Sequence, residues 1–233
     1  MDASDIADLY RLRVSASEYS RRNAIWRVIC KGFLQRFINP SDTVIELACG
    51  RGEFINNITA TKRIAIDLNP DTKRHLEEGV QFHNCDVTEL ARTVRSKADV
   101  VFTSNFFEHL PNKRVLEDVL EQIGAVLKPA GHLLVLGPNL RFIPGEYWDY
   151  YDHDLGLTDQ SLSEVLMLKG FLIEMCLDRF VPYRIKGGGL PTHPWLVWMY
   201  LKCPIAWRFL GKEFFIVASL QPPNRGPLEQ HRR

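Results

Sequence analysis

Cysteine is scarce in this sequence and shows no organising pattern. Five cysteines stand at positions 30, 49, 85, 176 and 203, an odd number, and no two of them have C-x-x-C spacing. Such a set predicts neither a disulfide framework nor a zinc site, so we expect reduced thiols in a cytoplasmic protein.

Long apolar runs and net charge are also missing. No stretch reaches the ~18 uninterrupted apolar residues that a membrane-spanning helix needs, and the polar, acidic start of the chain is unlike a signal peptide. The 233 residues carry 29 Lys and Arg against 28 Asp and Glu. A net charge of +1 gives no overall field that would attract nucleic acid, so we expect no nucleic-acid partner.

A strand, a glycine turn and a helical stretch follow one another in the first quarter of the chain. Residues 43–47 have strand character, and the turn after them contains Gly50 and Gly52. Glycines in such a turn let a ligand approach the main chain. Residues 53–60 are predicted to be helical, and the start of a helix offers free N–H groups to a negatively charged ligand. Together these features predict a nucleotide-binding site.

The next predicted strand helps to distinguish between two kinds of ligand, a dinucleotide and S-adenosylmethionine. It places Asp67 at its end, about 20 residues after the first turn, where doubly wound sheets place the acid that binds a ribose; its predicted bounds are 63–68. A dinucleotide fingerprint needs three glycines, G-x-G-x-x-G, but Ala48 and Ile55 occupy the first and third positions. Glu46 would also repel a pyrophosphate, whereas it suits the ammonium and sulfonium groups of S-adenosylmethionine.

Five ordered motifs resemble those of class I S-adenosylmethionine-dependent methyltransferases. They are Glu46-Leu-Ala-Cys-Gly-Arg-Gly, the strand end at Asp67, Asn84-Cys-Asp-Val-Thr, the segment 99–110 and the segment 127–136. The resemblance extends from residue 43 to residue 180, and an ordered set is far more specific than one motif. Ala48 and Ala130 stand where the family commonly has glycine.

The resemblance implies S-adenosylmethionine as the methyl donor, S-adenosylhomocysteine as the product, and no metal. The cofactor would lie at the carboxyl ends of the parallel strands. Asp67 would bind the ribose hydroxyls and Asp86 the adenine amino group. The full set of expected cofactor-binding residues is Glu46, Ala48, Gly50, Gly52, Asp67, Leu68, Asp86, Val87 and Asn105.

The implied fold is α/β: a Rossmann-like, seven-stranded, mostly parallel sheet with an antiparallel last strand beside the fifth, preceded by a helical extension. The predicted strands are 43–47, 63–68, 80–84, 98–103, 132–136, 171–177 and 213–220, and the clearest helices are 112–127 and 158–169. As domains we expect a two-helix extension at 1–40, the methyltransferase domain at 41–220 with insertions at 137–157 and 181–212, and a disordered tail at 221–233.

Three arginines, at positions 21, 22 and 27, lie on the second helix of the predicted N-terminal extension. Two interpretations stay open. In the first, the arginines form a solvated basic face on a helix that packs against the sheet. In the second, one of the arginines, or Tyr19, reaches the carboxylate of the cofactor.

The loop after the fifth strand, residues 137–157, is aromatic and acidic. Loops of about 20 residues in a compact domain are usually functional, and this one leaves the edge of the sheet that is expected to hold the cofactor. Tyr147, Trp148, Tyr151 and Asp152 are therefore the expected acceptor-binding residues. A packed surface loop without such a role is the alternative.

Two histidines are candidates for a general base, because imidazole titrates near neutral pH. His109 follows the fourth strand, and His153 stands between Asp152 and Asp154 in the loop 137–157. We expect one of them to take a proton from a hydroxyl nucleophile, with His153 preferred for its acidic neighbours. A purely structural role is the alternative for each.

These observations predict a methyltransferase that acts on a small-molecule or glycan-like acceptor at a hydroxyl. The loop 137–157 and the long last insertion resemble methyltransferases encoded with bacterial polysaccharide or natural-product pathways. The alternatives are a nicotinamide-dependent oxidoreductase on a similar sheet, which Glu46, Ala48 and Ile55 disfavour, and a non-catalytic module that kept the fold.

Residues 195–210 form the most apolar stretch outside the predicted sheet, broken by Lys202, Pro204 and Arg208. Three explanations compete for it. The stretch caps the core, forms a homodimer contact, or rests peripherally on a membrane with Lys202 and Arg208 at the headgroups.

Overall fold

The structure of this chain, a computed structural model, describes residues 16–183 and 193–221. Three sequence-based predictions fall outside these ranges. They are the first helix of the N-terminal extension, residues 184–192 of the last insertion and the tail beyond residue 221.

Seven strands form one sheet in the described ranges, in the order β3-β2-β1-β4-β5-β7-β6. The strands are β1 Thr43–Leu47, β2 Lys62–Asp67, β3 Val80–Asn84, β4 Ala98–Ser104, β5 Leu127–Pro138, β6 Phe171–Leu177 and β7 Glu213–Leu220. The pairs among β1 to β5 are parallel, whereas β7 is antiparallel to both β5 and β6. The predicted fold class is therefore confirmed, with the last strand beside the fifth.

Helices cover the sheet on both faces. They are α1 Ala16–Gly32, α2 Leu90–Thr93, α3 Lys113–Val126, α4 Asp159–Leu168, α5 Pro194–Leu201 and α6 Pro204–Leu210. On α3, the buried residues Leu116, Val119 and Ile123 recur at helical spacing and lie against the sheet. On β1, Val44 points into the core beneath α1, while Ile45 points into the core beneath α3. A strand that is covered on both faces must be almost entirely apolar.

The helix predicted at 53–60 is wrong, because the structure has a series of turns there. In a helix the backbone N–H of Asn57 would bind the carbonyl of Glu53. Here the Asn57 side-chain amide takes that carbonyl at 2.8 Å, and its backbone N–H binds the carbonyl of Phe54 at 2.9 Å. Short polar side chains that bind nearby backbone groups compete with helix formation in this way.

The predicted helix at 158–169 is present, although its N-cap is not the residue that the capping-box pattern in the sequence indicates. Ser161 and Glu164 have the spacing of a capping box, but the helix begins at Asp159 and Thr158 is its N-cap. The Ser161 N–H donates to the Thr158 hydroxyl at 3.1 Å, and the Thr158 N–H donates to the Ser161 hydroxyl at 3.0 Å. Serine therefore fills the position that glutamate usually holds.

Helices α5 and α6 form a hairpin whose inner face caps the core, as one of the three explanations for residues 195–210 proposed. Leu201 is buried against α1, and the Trp207 indole N–H donates to the Tyr200 carbonyl at 2.9 Å. The Trp207 ring also makes an edge contact with Phe180, with ring centroids 5.1 Å apart. No helix in the described ranges is long and apolar enough to cross a membrane.

Gly211 joins this hairpin to β7 in a space that admits no side chain. A Cβ at this position would lie 2.6 Å from the Trp207 carbonyl oxygen and 2.9 Å from the Phe180 backbone nitrogen. These are backbone atoms and cannot rotate away. At Gly145, by contrast, a Cβ would meet nothing within 4 Å.

We predict that Gly211→Ala lowers the free energy of unfolding by about 1–3 kcal/mol, the usual cost of overfilling a packed site. Gly145→Ala is the matched control, and we expect it to be neutral or slightly stabilising. Urea titrations followed by circular dichroism measure both. Equal stability of the two variants would contradict the tight junction described here.

Candidate active site

The carboxyl ends of β1, β2 and β4 meet at one edge of the sheet, and a polar residue stands at each. Glu46 lies near the end of β1, Asp67 ends β2, and Asn105 follows β4. Parallel sheets bind ligands at this edge. The expected cofactor-binding residues therefore lie along the part of the fold where a ligand is normally bound.

The turn after β1 has the backbone conformation that its glycines predicted. Gly50 has φ +56° and Gly52 has φ +72°, and a Cβ on Gly52 would lie 2.6 Å from Leu76 Cδ2. Ala48 also has a positive φ, +49°, and so does Ala130, +59°. Both alanines thus hold the left-handed backbone that glycine adopts freely in the methyltransferases this chain resembles, at a cost of about 1–2 kcal/mol each.

Glu46 is buried and binds the chain segment that follows the turn. Its Oε2 accepts a hydrogen bond from the Ile55 N–H at 3.0 Å. Burial raises the pKa of this carboxyl well above its usual range, and the Ile55 hydrogen bond opposes the rise. The sequence predicted that free N–H groups after the turn would meet a negatively charged ligand, but one of them binds Glu46 instead.

Asp67 holds the glycine turn from the neighbouring strand. Its Oδ2 accepts from the Gly50 N–H at 2.7 Å, and its Oδ1 accepts from the Asn69 N–H at 2.8 Å. Burial raises the pKa of Asp67 to about 6, although both hydrogen bonds lower it. The Thr72 hydroxyl donates to the Gly50 carbonyl at 2.7 Å and fixes the turn from the same side.

Asn84 joins the ends of β2 and β3. It is the first residue of the motif Asn84-Cys-Asp-Val-Thr, and the sequence alone predicted no role for it. Its side-chain amide donates to the carbonyls of Asp67 at 2.9 Å and Leu68 at 2.8 Å. Asp86 follows on the surface, where its Oδ1 accepts from the N–H of Thr88 at 2.8 Å. Val87 is buried beneath it. Asn84 thus ties the end of β3 to Asp67 and Leu68, and the adenine-binding role of Asp86 stays a prediction.

Helix α1 lies over the glycine turn. Arg22 Nε forms an ion pair with Glu53 Oε1 at 3.0 Å, and the Tyr19 hydroxyl donates to the Arg51 carbonyl at 3.3 Å. Arg21 and Arg27 are exposed. Arg21 and Arg27 thus belong to an exposed basic face, from which Arg27 Nε donates to Asn57 Oδ1 at 3.3 Å. Arg22 and Tyr19 contact the segment that carries the cofactor motif, and a contact of either with the carboxylate of the cofactor stays a prediction.

The loop 137–157 brings both candidate bases together. His109 Nδ1 lies 2.8 Å from the Asp152 carbonyl oxygen and 3.3 Å from Asp152 Oδ2. The His109 and His153 rings meet edge to face with centroids 4.9 Å apart. The carbonyl of Glu108 accepts hydrogen bonds from the N–H groups of Asp154 and Leu155, both at 3.0 Å, and so fixes the loop against the end of β4.

Sequence reasoning missed two buried acids, Glu108 next to His109 and Glu213 at the start of β7. Burial raises the pKa of Glu108 to about 7, and the nearby His109 opposes that rise. Burial, and then repulsion from Glu108, raise the pKa of Glu213 well above its usual range. The available signals were the acid next to His109 and an acid at the first position of β7, whose other residues are apolar except Ser219.

The predicted acceptor residues separate into two groups. Trp148 is 52% exposed and Tyr151 is 88% exposed, so their rings are accessible, and Asp152 pairs with His109 as described. Tyr147 is completely buried, and its hydroxyl donates to the Leu155 carbonyl. The expectation that Tyr147 contacts the acceptor is therefore corrected: its ring is enclosed beside Trp148 and His153, and it supports the loop from within.

The cluster also has the composition of a metal-ligand set. Glu108, His109 and His153 each offer a ligand atom, and these atoms lie within 4.8 Å of one another. In the same geometry, however, Asp152 binds His109 Nδ1, which is the arrangement of a histidine oriented to exchange protons. The methyltransferase fold needs no metal for its chemistry, because the reactivity belongs to the sulfonium donor.

Comparison with known proteins agrees with this geometry. Residues 20–168 match the methyltransferase domain family. No curated protein matches the chain. Solved structures with the same fold include an S-adenosylmethionine-dependent methyltransferase from Archaeoglobus fulgidus, at 19% identity over 83% of this chain and 94% of that chain with TM-score 0.60. A second, from Clostridium acetobutylicum, has 10% identity over 94% and 99% with TM-score 0.58.

A third similar structure is the N-methyltransferase NodS from Bradyrhizobium japonicum in complex with S-adenosylhomocysteine. It has 12% identity, covers 91% of each chain and has TM-score 0.55. The fold and site thus define the class I S-adenosylmethionine-dependent methyltransferases. Because the family match spans more than half of the chain, this protein belongs to the methyltransferase domain family. The oxidoreductase and non-catalytic alternatives are set aside.

We predict that cofactor affinity depends on the protonation of Asp67. Ribose hydroxyls donate hydrogen bonds to the ionised carboxylate, so binding should follow the ionised fraction. With a pKa of about 6 in the free protein, roughly a tenth of the Asp67 side chains is ionised at pH 5 and nearly all at pH 8. Calorimetry with S-adenosylhomocysteine should therefore show roughly tenfold tighter binding at pH 8 than at pH 5.

Asp67→Asn should weaken binding at pH 8 and abolish most of this pH dependence, with the fold monitored by circular dichroism. A variant that keeps the wild-type pH profile would show that another group causes it, and a variant that keeps the wild-type affinity at pH 8 would show that Asp67 does not bind the ribose.

Proposed function

We propose that this enzyme methylates a hydroxyl group of a small, polyhydroxylated acceptor such as a sugar, with His109 as the general base. The observation that carries the proposal is the contact of His109 Nδ1 with the carbonyl and carboxylate oxygens of Asp152, at 2.8 and 3.3 Å. Both oxygens are acceptors, so they favour a proton on Nδ1. The lone pair of Nε2 is then available to take a proton.

The chemistry needs little more from the protein than alignment and a base. The donor supplies an electrophilic methyl group, and the acceptor oxygen forms its bond to carbon as the carbon–sulfur bond breaks and the electron pair goes to sulfur. His109 Nε2 receives the hydroxyl proton, a contribution of about 10²–10⁴-fold in rate. Helix α1 and the loop 137–157 would exclude water from the aligned groups.

His153 has a supporting role in this proposal, which reverses the preference drawn from its acidic neighbours in sequence. Its side chain is buried, stacked on Tyr150 with centroids 5.1 Å apart and in edge contact with Tyr147 at 4.9 Å. A ring enclosed in this way positions its neighbour His109 and is less accessible to an acceptor. Asp152, adjacent in sequence to His153, contacts His109 instead.

Exposed aromatic rings near the proposed base support this acceptor class. Trp148 and Tyr151 project from the loop that carries Asp152, and aromatic faces stack on the apolar faces of sugars. This supports the glycan-like acceptor, and with it a place in polysaccharide or natural-product biosynthesis. NodS is named an N-methyltransferase, so an amine acceptor is the alternative that the experiment must separate.

The first experiment is a screen with radiolabelled donor. Matched pairs of acceptors, each a sugar or small polyol and its amino-substituted analogue, report whether label is transferred to oxygen or nitrogen. Transfer to amines alone would overturn the hydroxyl proposal while leaving the methyltransferase assignment intact.

Once an acceptor is found, we predict that His109→Ala and Asp152→Asn lower turnover by about 10²-fold or more, because the base or its orientation is lost. Affinity for S-adenosylhomocysteine should change by less than about twofold, because neither residue belongs to the expected cofactor site. His132→Ala is the matched control: His132 forms a comparable ion pair with Glu174 at 3.3 Å between β5 and β6. A loss below about threefold for His109→Ala would be too small for a general base.

A further inference from the structure

Exposed apolar side chains concentrate on the outer face of the α5–α6 hairpin. Ten large hydrophobic residues are exposed in the described ranges, and six of them belong to this hairpin. We call these six the hairpin surface: Trp195, Trp198, Met199, Ile205, Phe209 and Leu210. In α5 the exposed residues recur at helical spacing, which places them on one side of the helix. Such a concentration marks an interaction surface.

The hairpin surface is not an unfinished part of the core, because the opposite face is already fixed. The Tyr200 hydroxyl donates to the Phe180 carbonyl, Leu201 is buried, and Trp207 packs against Phe180. Helix α5 is therefore apolar on both sides, one against the protein and one facing out. A helix that is apolar all round is normally enclosed on all sides, so the outer face needs an environment other than water.

The charges of the hairpin are of one sign. Lys202 and Arg208 are exposed on the same segment as the hairpin surface. The sequence from residue 193 to residue 212 contains no aspartate or glutamate. A partner of the hairpin surface must therefore accept apolar and aromatic groups and also carry negative charge.

We propose that the hairpin surface binds the headgroup region of an anionic lipid bilayer, with α5 and α6 lying in the plane of the membrane. Tryptophan and phenylalanine insert at the level of the headgroups, and lysine and arginine extend to lipid phosphates. Each basic residue near an anionic surface strengthens the attraction to it. With 8 and 7 residues, the two helices are far too short to cross the bilayer.

A second copy of the chain fits the same surface less well. In a two-fold dimer each residue near the axis faces its own counterpart. A dimer whose axis passes near Lys202 or Arg208 would bring like charges together, with no acid on the hairpin to compensate them. Anionic lipid complements both the apolar and the charged parts of the surface.

The position of the hairpin connects it to the acceptor side of the enzyme. Lys212, just after α6, forms an ion pair with Glu146 at 2.8 Å in the loop that carries Trp148 and Tyr151. A membrane bound by the hairpin would thus lie near that loop. Lipid binding itself does not depend on the proposed methyl acceptor, and it is measured without one.

Vesicle flotation tests the proposal on the full chain. We expect flotation with vesicles of equal parts phosphatidylcholine and phosphatidylglycerol, much less with phosphatidylcholine alone, and weaker binding at high salt. Trp198→Glu combined with Phe209→Glu should lower the bound fraction at least tenfold. Lys202→Glu combined with Arg208→Glu should remove the preference for anionic vesicles.

The control is Leu168→Glu, which changes an equally exposed apolar residue at the end of α4 and should float like the wild type. Circular dichroism confirms the fold of each variant, and S-adenosylhomocysteine affinity should be unchanged in all of them. Sedimentation equilibrium runs in parallel. The proposal is overturned if the wild-type protein does not bind anionic vesicles. This holds for a monomer and also for a dimer that Trp198→Glu dissociates. Equal loss of flotation in Leu168→Glu overturns the assignment to the hairpin surface.

Discussion

The hydrogen bond between the Gly50 N–H and the Asp67 carboxylate is the contact on which the cofactor side of this enzyme depends. It joins the turn after β1 to the end of β2 at 2.7 Å. Because the turn needs left-handed backbone at three residues, it would not hold this shape by local preference alone. Asp67, Thr72 and the Glu46–Ile55 hydrogen bond supply the missing constraint from outside the turn.

Buried carboxyl groups give the ligand edge its electrostatic character. Glu46, Asp67, Glu108 and Glu213 are each less than a tenth exposed, and burial is the first cause of the raised pKa of every one. Keeping carboxylates ionised away from water is costly unless a positive group or a hydrogen-bond donor is near. A donor with a sulfonium and an ammonium group offers that compensation, whereas a pyrophosphate would add to the cost. The same physical argument explains why the sequence favoured a methyl donor over a dinucleotide.

Most of the fold could be predicted because each strand carries its own local signal. Four strands, 43–47, 80–84, 171–177 and 213–220, have the predicted bounds, and the remaining three differ at their ends. The helix predicted at 53–60 was wrong because a hydrogen bond from the Asn57 side chain replaced a helical one. The spacing of apolar residues gives no sign of such a bond. The prediction that Tyr147 contacts the acceptor was wrong for a related reason. An aromatic residue in a polar loop is expected to be accessible, and only the folded loop shows that this one is enclosed.

The sequence by itself determined the order of strands and turns, the need for positive φ at the glycine turn, and the acids at the strand ends. These are local properties, set by side-chain pattern and backbone sterics over a few residues. Only the tertiary structure decided that Asp152 contacts His109, that His153 is enclosed between tyrosines, and that one face of the α5–α6 hairpin stays exposed. Those outcomes depend on contacts between residues distant in the chain, whose distances and burial exist only after the sheet has assembled.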